Sequence, residues 1–307
     1  MHPQSGTTPR RARGRARASL AWLAVLACAV VPIATAQPVQ ATDALGRDVA
    51  LAAPALRVVS MVPSHTETLC ALGACDRLVG RDSLSDAPAA ALAAPSLGTA
   101  FAPDLEALVA AAPDLVLADA FTGLPEALAP FGIAVYAGTP QQLDDLAPYF
   151  ADLGALLGLE DEAAELATEV AAGFEAVRAA VAELPRPTVF VEIDATPYAA
   201  GPTSLVGAVV ELAGGAHVVD AALGDYPQVD PEYVVAQDPE VILLLDAPYG
   251  VTAEQVAARP GWSVLRAVRD GRVIELTAAE ADVLSRPGPR LVEAAWAIAR
   301  LLHPGRF

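Results

Sequence analysis

Two segments of the chain share one pattern, and this repeat limits the folds that the sequence can adopt. Residues 102–119 read "APDLEALVAAAPDLVLAD", and residues 229–246 read "VDPEYVVAQDPEVILLLD". Each segment predicts a helix followed by a buried strand. The equivalent positions lie 126 residues apart and include Asp104 with Asp230, Glu106 with Glu232, and Pro113 with Pro239. A chain that repeats a helix–strand unit is expected to contain two equivalent lobes.

Predicted strands and helices alternate around each copy of the repeat. The strands are "RVVSMVP", "RLVGRD", "DLVLA" and "IAVYAG" in the first half, and "TVFVEID", "EVILLLD" and "GRVIEL" in the second. Strands that alternate with helices form parallel sheets covered by helices. Between the two series, "EDEAAELATEVAAGFEAVRAAVAEL" predicts one long helix that ends at "PRP".

The expected fold is therefore α/β, with two α/β lobes that contain parallel-type sheets and are joined by one long α-helix. We expect a signal peptide at 1–36, an N-terminal lobe at 37–157, a connecting helix at 158–185 and a C-terminal lobe at 186–307. Loops at the carboxyl ends of parallel strands are the usual ligand sites, so a ligand cleft is expected between the lobes. One stiff connector favours a receptor that binds and presents a ligand.

Charge and motifs narrow the function further. The 19 basic residues are all arginine, against 37 acidic residues, and the net charge is −18. Five of the arginines precede residue 37, so the remainder is strongly acidic and would repel nucleic acid. Without lysine, neither a Walker A loop nor a pyridoxal Schiff base can form. No G-x-S-x-G, HExxH or dinucleotide turn occurs, although an exported two-lobed enzyme remains the alternative from another class.

The N-terminus has the pattern of an export signal. An arginine-rich start precedes an apolar stretch from Leu20 to about Ile33, and Ala34 and Ala36 form a cleavage pattern before Gln37. The alternative is lipid attachment at Cys28, in "VLAC". Both interpretations predict a protein outside the cytoplasm, in the periplasm or the cell envelope. There, Cys70 and Cys75 could form a disulfide, or they could be two small residues packed in a core; the sequence leaves both open.

The order of several segments resembles the helical-backbone substrate-binding proteins of ABC importers, in the branch that binds cobalamin (vitamin B12) and ferric siderophores. The segments include "DALGRDVALAAPALRVVSMVPSHTETLCALGACDRLVGRD", "LEALVAAAPDLVLA", "ELAGGAHVV", "YPQVDPEYVVAQDPEVILL", "GWSVLRAVRDGRVIEL" and "SRPGPRLVEAA". The resemblance implies a monomer that is not an enzyme and has no cofactor of its own. It also implies that the chain delivers a corrinoid to a permease dimer and its ATPase. A ferric siderophore or haem is the alternative ligand.

The resemblance also implies a role for the repeated glutamates. Such receptors place one exposed glutamate on each lobe against arginines of the two-fold permease, and Glu106 and Glu232 occupy those positions. Helix physics offers a second explanation. Asp104 and Asp230 look like N-caps, and a glutamate in the first helical turn is favoured by the helix dipole by about 0.3–1 kcal/mol. A further capping box is expected at Ser64 and Glu67.

Residues at the predicted strand ends are the candidates for ligand contact. They are Ser64, His65, Arg81 with Asp82, and Phe101 in the first lobe, and Tyr198, Tyr226, Asp282 and Arg286 in the second. The resemblance assigns the two tyrosines to corrin packing, and Asp282 and Arg286 to polar contacts. Leu84 and Ala100 stand where relatives have aromatic residues, and Phe101 could replace one of them.

Other ligands would use the same residues differently. Haem iron could bind Tyr198 or Tyr226, and an anionic siderophore would need Arg81 and Arg286. His65 and His217 are too few to predict a metal site of the protein.

Overall fold

The computed structural model describes Gly6 and residues 38–307. Apart from Gly6, the predicted signal peptide lies outside these residues, and so does Cys28. From Pro38 onward, the described residues belong to one compact unit. No helix in the described part of the chain is long and apolar enough to cross a membrane.

The N-terminal lobe is built on a four-stranded parallel sheet in the order β4-β3-β7-β8. A hairpin, β1–β2, precedes it, and a second short hairpin, β5–β6, follows β4. The elements are β1 (Val39–Thr42), β2 (Asp48–Leu51), β3 (Val58–Ser60), α1 (Pro63–Ala71), β4 (Leu78–Arg81), β5 (Gly98–Thr99), β6 (Ala102–Pro103), α2 (Leu105–Ala110), β7 (Leu115–Ala118), α3 (Leu124–Leu128), β8 (Ala134–Ala137) and α4 (Leu146–Leu157).

The C-terminal lobe follows the long helix α5 (Glu160–Val181). Its sheet has the order β10-β9-β12-β13, with β11 also paired to β9. The pairs are parallel except that β10 runs antiparallel to β9. The elements are β9 (Thr188–Asp194), β10 (Tyr198–Ala199), α6 (Leu205–Leu212), β11 (Ala216–His217), α7 (Pro231–Gln237), β12 (Val241–Leu244), α8 (Ala253–Ala257), α9 (Arg266–Arg269), β13 (Val273–Glu275), α10 (Ala278–Ser285) and α11 (Leu291–Leu302).

The expected α/β fold is confirmed, and the repeat occupies equivalent places in the two sheets. The first copy forms α2 and β7, and the second forms α7 and β12. β7 pairs with β3, the strand that opens the first sheet, and β12 pairs with β9 in the same parallel sense. The helix α5 is shorter at both ends than the predicted 158–185.

Both sheets are buried on two faces, as their aliphatic runs require. In β7, Leu115 and Leu117 join the core that runs through both lobes along α4, α5 and α11. The alternate residues Val116 and Ala118 pack in a separate core on the other face of the N-terminal sheet. In β9, Phe190 lies on the outer face and packs edge-on against the buried Trp262. This burial holds the strand ends, and the loops that follow them, in fixed positions.

One predicted cap is wrong, and the two predicted aspartates take the N-cap positions of their helices. α1 begins at Pro63 after the N-cap residue Val62, with no side-chain cap, so the capping box of Ser64 and Glu67 does not form. Asp104 caps α2 through a hydrogen bond from the Ala107 amide at 3.0 Å. Asp230 takes the N-cap position of α7 without a side-chain hydrogen bond, and Pro231 follows it at N1. Proline supplies the helical φ angle there without a cap.

Candidate functional site

The carboxyl ends of the strands carry exposed aromatic side chains in both lobes. Phe101 lies in the turn between β5 and β6 and is 83% exposed. In the second lobe, Tyr198 and Tyr226 are also exposed. Burial of large apolar side chains is favourable, so a group of them exposed to water indicates a surface that binds a ligand or a partner.

The structure brings Tyr198 and Tyr226 onto neighbouring backbone segments. Tyr198 forms a bridge with Gln228, and the Ala199 amide donates to the Pro227 carbonyl at 3.0 Å. Partial burial and the nearby Asp225 raise the pKa of the Tyr226 hydroxyl. Tyr226 is therefore a neutral phenol at physiological pH, and the two tyrosines lie on adjoining segments of the C-terminal lobe.

Sequence reasoning missed two further aromatic residues. Phe121 follows β7 and is 83% exposed, and Tyr249 follows β12 and is 88% exposed. Because β7 and β12 are the strands of the repeat, each copy is followed by one exposed aromatic ring. The signal available in the sequence was an aromatic residue within five positions of the end of a predicted strand.

A buried chain of hydroxyl groups lies at the ends of β3 and β4. Thr66 donates to the Ser60 hydroxyl at 2.8 Å and lies 2.8 Å from the Ser85 hydroxyl, which donates to Asp82. Asp82 is buried, so this predicted cleft residue is used inside the lobe. Its neighbour Arg81 is half-buried and donates from Nη1 to the Asp82 carbonyl at 3.0 Å.

His65 and Ser64 are interior residues, which corrects their expected place in the cleft. His65 is 0% exposed, with Nδ1 2.6 Å from the Tyr149 hydroxyl and Nε2 3.1 Å from the Ala118 carbonyl. Burial lowers its pKa to about 4, so the ring is neutral and offers no free nitrogen to a ligand. The physical reason is that α1 starts at Pro63, which places Ser64 and His65 in its first turn, packed beneath the strand ends.

Arg286 is likewise not presented to solvent, contrary to its expected role at the ligand. Only 9% of it is exposed, and Nη1 donates to Glu67 and to Asp86 of the N-terminal lobe, each at 2.9 Å. Asp282, which is exposed at the side chain, pairs with Nη2 at 3.1 Å. Arg286 therefore connects the two lobes, and Asp282 is the member of the pair that remains open to solvent.

A second buried ion pair lies at the end of β9. Glu192 is fully buried and accepts two hydrogen bonds from Arg259, at 2.5 and 2.6 Å. The Arg259 guanidinium also lies over the Trp262 ring, 4.7 Å from its centroid. Nearby, Asp246 is 4% exposed, and neither of its carboxylate oxygens has a hydrogen-bond partner.

The two glutamates of the repeat have the same setting. Glu106 lies in the first turn of α2 and Glu232 in the first turn of α7, and both are exposed. Among the described residues, neither forms an ion pair within the chain. Both carboxylates are therefore available on the surface.

Cys70 and Cys75 are joined by a disulfide. The bond connects the last turn of α1 to the short 3₁₀ helix at Cys75–Arg77. It therefore fixes the end of the helix that carries Glu67.

A groove of 840 Å³ lies where α1, α5 and the start of α11 meet. Glu67, Leu166, Gly173 and Arg290 contribute to its walls, and none of the predicted ligand residues does. It belongs to the junction of the lobes with the connecting helix rather than to the strand ends. Within the part of the chain that the structure describes, no group of three or more His, Cys, Asp or Glu residues could hold a metal ion.

Comparison with known proteins agrees with this architecture. An uncharacterized ABC transporter substrate-binding lipoprotein of Bacillus subtilis is 27% identical over 287 residues, 88% of this chain and 87% of its own length. A cobalamin-binding protein of Halobacterium salinarum is 30% identical over 285 residues, 87% of this chain and 74% of its own. The solved apo structure of a periplasmic haem-binding protein from Roseiflexus sp. RS-1 superposes with a TM-score of 0.71 at 26% identity, over 82% of this chain and 99% of that one.

The family of periplasmic binding proteins matches residues 58–280, which include the strand ends of both sheets and the long connecting helix. The match covers well over half of the chain. This protein therefore belongs to the periplasmic binding protein family, of the ABC-importer type.

Proposed function

We propose that this protein is an exported receptor that captures a corrinoid of the vitamin B12 type and delivers it to a two-fold ABC permease and its ATPase. The observation that carries the proposal is the set of exposed aromatic rings at the strand ends of both lobes. These are Phe101, Phe121, Tyr198, Tyr226 and Tyr249. A broad, flat macrocycle buries much apolar area against such rings, and aromatic side chains dominate interfaces of this kind.

The charges at the same edge favour a corrinoid over an anionic ligand. Carboxylates end or follow the strands in both lobes: Asp82, Asp119, Asp194, Asp246 and Glu275. Of the arginines at the strand ends, Arg259 and Arg286 are each bound to a buried glutamate, and Arg81 donates to the Asp82 carbonyl. Carboxylate oxygens accept hydrogen bonds from the amide groups around a corrin, whereas haem propionates and acidic siderophores would meet like charge.

Haem is the second candidate, because two observations favour it. Tyr198 and Tyr226 offer phenol oxygens that are known iron ligands, and a haem-binding protein shares the fold at 26% identity. A ferric siderophore with neutral chelating groups would also tolerate the acidic edge.

Titration of ligand-free protein separates these ligands. We expect cyanocobalamin to quench tryptophan fluorescence and to raise the unfolding midpoint, since a ligand that binds only the folded state stabilises it. Phe121→Ala should weaken binding, and Phe131→Ala, an exposed aromatic after α3 and away from the strand ends, should not. Haem would be the ligand if cyanocobalamin does not bind and added haem gives a shifted absorption band. That shift should be lost in Tyr198→Phe or Tyr226→Phe.

For the permease we propose that Glu106 and Glu232 are the docking contacts. A receptor with two equivalent lobes can present the same charge to each half of a two-fold partner. The helix dipole favours an acidic residue in any first turn, whereas Glu106 and Glu232 also occupy equivalent positions of the repeated helix–strand unit, one in each lobe.

The chain supplies a matched control for this docking pair. Glu126 and Glu254 are also exposed first-turn glutamates, one in each lobe, on α3 and α8. Glu106→Ala with Glu232→Ala should abolish uptake in cells that carry the cognate importer and leave ligand affinity unchanged. Glu126→Ala with Glu254→Ala should leave both unchanged. Equal loss of uptake in the two double variants would reject specific docking.

A further inference from the structure

Three carboxylates share one corner of the C-terminal sheet. Leu244 of β12 lies opposite Glu192 of β9 in a parallel register. β12 ends at Leu244; the Leu245 amide donates to the Glu192 carbonyl at 2.9 Å, and Asp246 begins the turn that follows. Asp194 is the last residue of β9 and lies on the same face as Glu192, because side chains alternate along a strand. The cluster is at the carboxyl edge of the sheet, where α/β proteins bind their ligands.

Two members of the cluster are already satisfied. The two carboxylate oxygens of Glu192 accept hydrogen bonds from Nη1 and Nη2 of Arg259, in a bidentate ion pair. Asp194 is exposed and accepts hydrogen bonds from the Thr196 amide at 2.9 Å and from its hydroxyl at 2.5 Å. The hydrogen bonds of Arg259 therefore go to Glu192, and Asp246 receives only the weaker, longer-range attraction of that charge.

Asp246 is the member without a partner. It is 96% buried, since 4% of its surface is exposed, and both carboxylate oxygens lack a donor. A buried polar group without a hydrogen bond lowers the stability of the fold, and native proteins rarely keep one. Burial first, and the neighbouring Glu192 next, raise its pKa to about 6. A costly group at a ligand-binding edge indicates that its donor comes with the ligand.

The chain that follows Asp246 can give access to it. Asp246 begins the 3₁₀ turn Ala247–Tyr249, which is closed by a hydrogen bond from the Tyr249 amide to the Asp246 carbonyl at 2.9 Å. The turn packs against α10, which carries Asp282. Tyr249 at its tip is almost fully exposed, so a shift confined to the tip breaks few packing contacts, whereas Ala247 at its base packs against the core that contains Trp262.

We propose that Asp246 is a ligand-recognition residue whose carboxylate accepts an N–H from a primary amide of the bound ligand. This inference rests on the proposed function and adds to it a basis for specificity. The carboxylate favours ligands that present amide groups at this corner. It rejects ligands that present a carboxylate there, because two like charges would then be desolvated together.

The test compares two kinds of probe on four proteins by isothermal titration. The probes are cyanocobalamin and the monocarboxylic acids formed by hydrolysing one of its propionamides. The proteins are the wild type, Asp246→Asn, Asp246→Ser and Asp270→Asn. Asp270 is an exposed aspartate that precedes β13, at the opposite edge of the same sheet. We expect Asp246→Asn to weaken cyanocobalamin binding about tenfold, because a neutral amide oxygen is a weaker acceptor than a carboxylate, and to reduce the preference for amide over acid. Asp270→Asn should change neither.

The outcomes separate this inference from the proposed function. Unchanged affinity and unchanged amide preference in Asp246→Asn, with a wild type that binds cyanocobalamin, overturn the role of Asp246 alone. A wild type that binds no corrinoid overturns both. Asp246→Ser, which also removes the charge, should reproduce the loss of amide preference. General destabilisation of the fold would weaken the binding of both probes to the same extent, so it would not change the ratio of their affinities.

Discussion

Arg286 in the C-terminal lobe donates from Nη1 to Oε1 of Glu67 in the N-terminal lobe at 2.9 Å, and both side chains are buried. Arg290 reaches the same oxygen at 3.3 Å, and Asp86 binds Arg286 from the first lobe. Glu67 lies on α1, and Arg286 follows α10. The lobes are therefore joined by this ion pair as well as by α5.

The first prediction concerns this ion pair. Glu67→Gln should lower the free energy of unfolding by roughly 1–2 kcal/mol, because the buried carboxylate is lost while Arg286 keeps Asp86 and Asp282 as partners. Urea denaturation measures the change, and X-ray scattering should show a larger radius of gyration if the lobes separate. Glu175→Gln, which breaks the exposed Glu175–Arg178 pair on α5, is the control and should change stability little. Equal losses in the two variants would contradict a special role for the Glu67 pair.

The second prediction concerns the disulfide between Cys70 and Cys75, five residues apart. A loop this short restricts the unfolded chain by about 2 kcal/mol. Cys70→Ala with Cys75→Ala should lower the free energy of unfolding by that order, as should reduction of the wild type. Urea titrations with and without dithiothreitol measure it. The double variant should not respond to the reductant, and a wild type that is also insensitive would show that the bond contributes nothing.

The third prediction uses the two copies of the repeat as a matched pair. Asp104 accepts a hydrogen bond from the Ala107 amide, and Asp230 makes no capping bond. Asp104→Ala should therefore cost about 1 kcal/mol, the usual value for an N-cap, and Asp230→Ala a few tenths. The difference between the two urea midpoints is the test. Equal effects would mean that the cap hydrogen bond is not the source of the loss.

Sequence patterns anticipated the elements whose signal is local. The strand predicted at "TVFVEID" coincides with β9, because a run of aliphatic and aromatic residues between prolines and a turn leaves few alternatives. The long helix was recognisable from its apolar spacing and from the prolines after it. The repeat predicted two equivalent strands, and both are central in their sheets.

Side-chain partners were not predictable in the same way. Glu67 looked like half of a capping box, whereas its partner is Arg286, 219 residues away. That pairing depends on how the lobes pack, which no local pattern encodes. His65 looked like a loop residue because the helix was expected to start at Ser64. The helix starts at Pro63 instead, and the His65 ring therefore lies in the core.

The last prediction is a pH dependence of stability that comes from Asp246. Burial raises its pKa from 3.8 to about 6; Glu192 and, more weakly, Asp194 add to the rise, and Arg259 opposes it. Between these two values the folded protein holds a proton that the unfolded chain has released. Below about pH 4, Asp246 is protonated in both states and does not change the free energy of unfolding. As the pH rises past 6, the folded protein must hold a buried negative charge, and the free energy of unfolding falls by the cost of that charge.

Asp246→Asn removes that charge, so it should raise the free energy of unfolding at pH 7.5 by on the order of 1–3 kcal/mol. At pH 4 the gain should nearly vanish, because both proteins are then uncharged at this position. Urea denaturation at the two pH values measures the difference, with Asp270→Asn as the exposed control. A gain of the same size at both pH values would show that packing, and not the buried charge of Asp246, explains the effect.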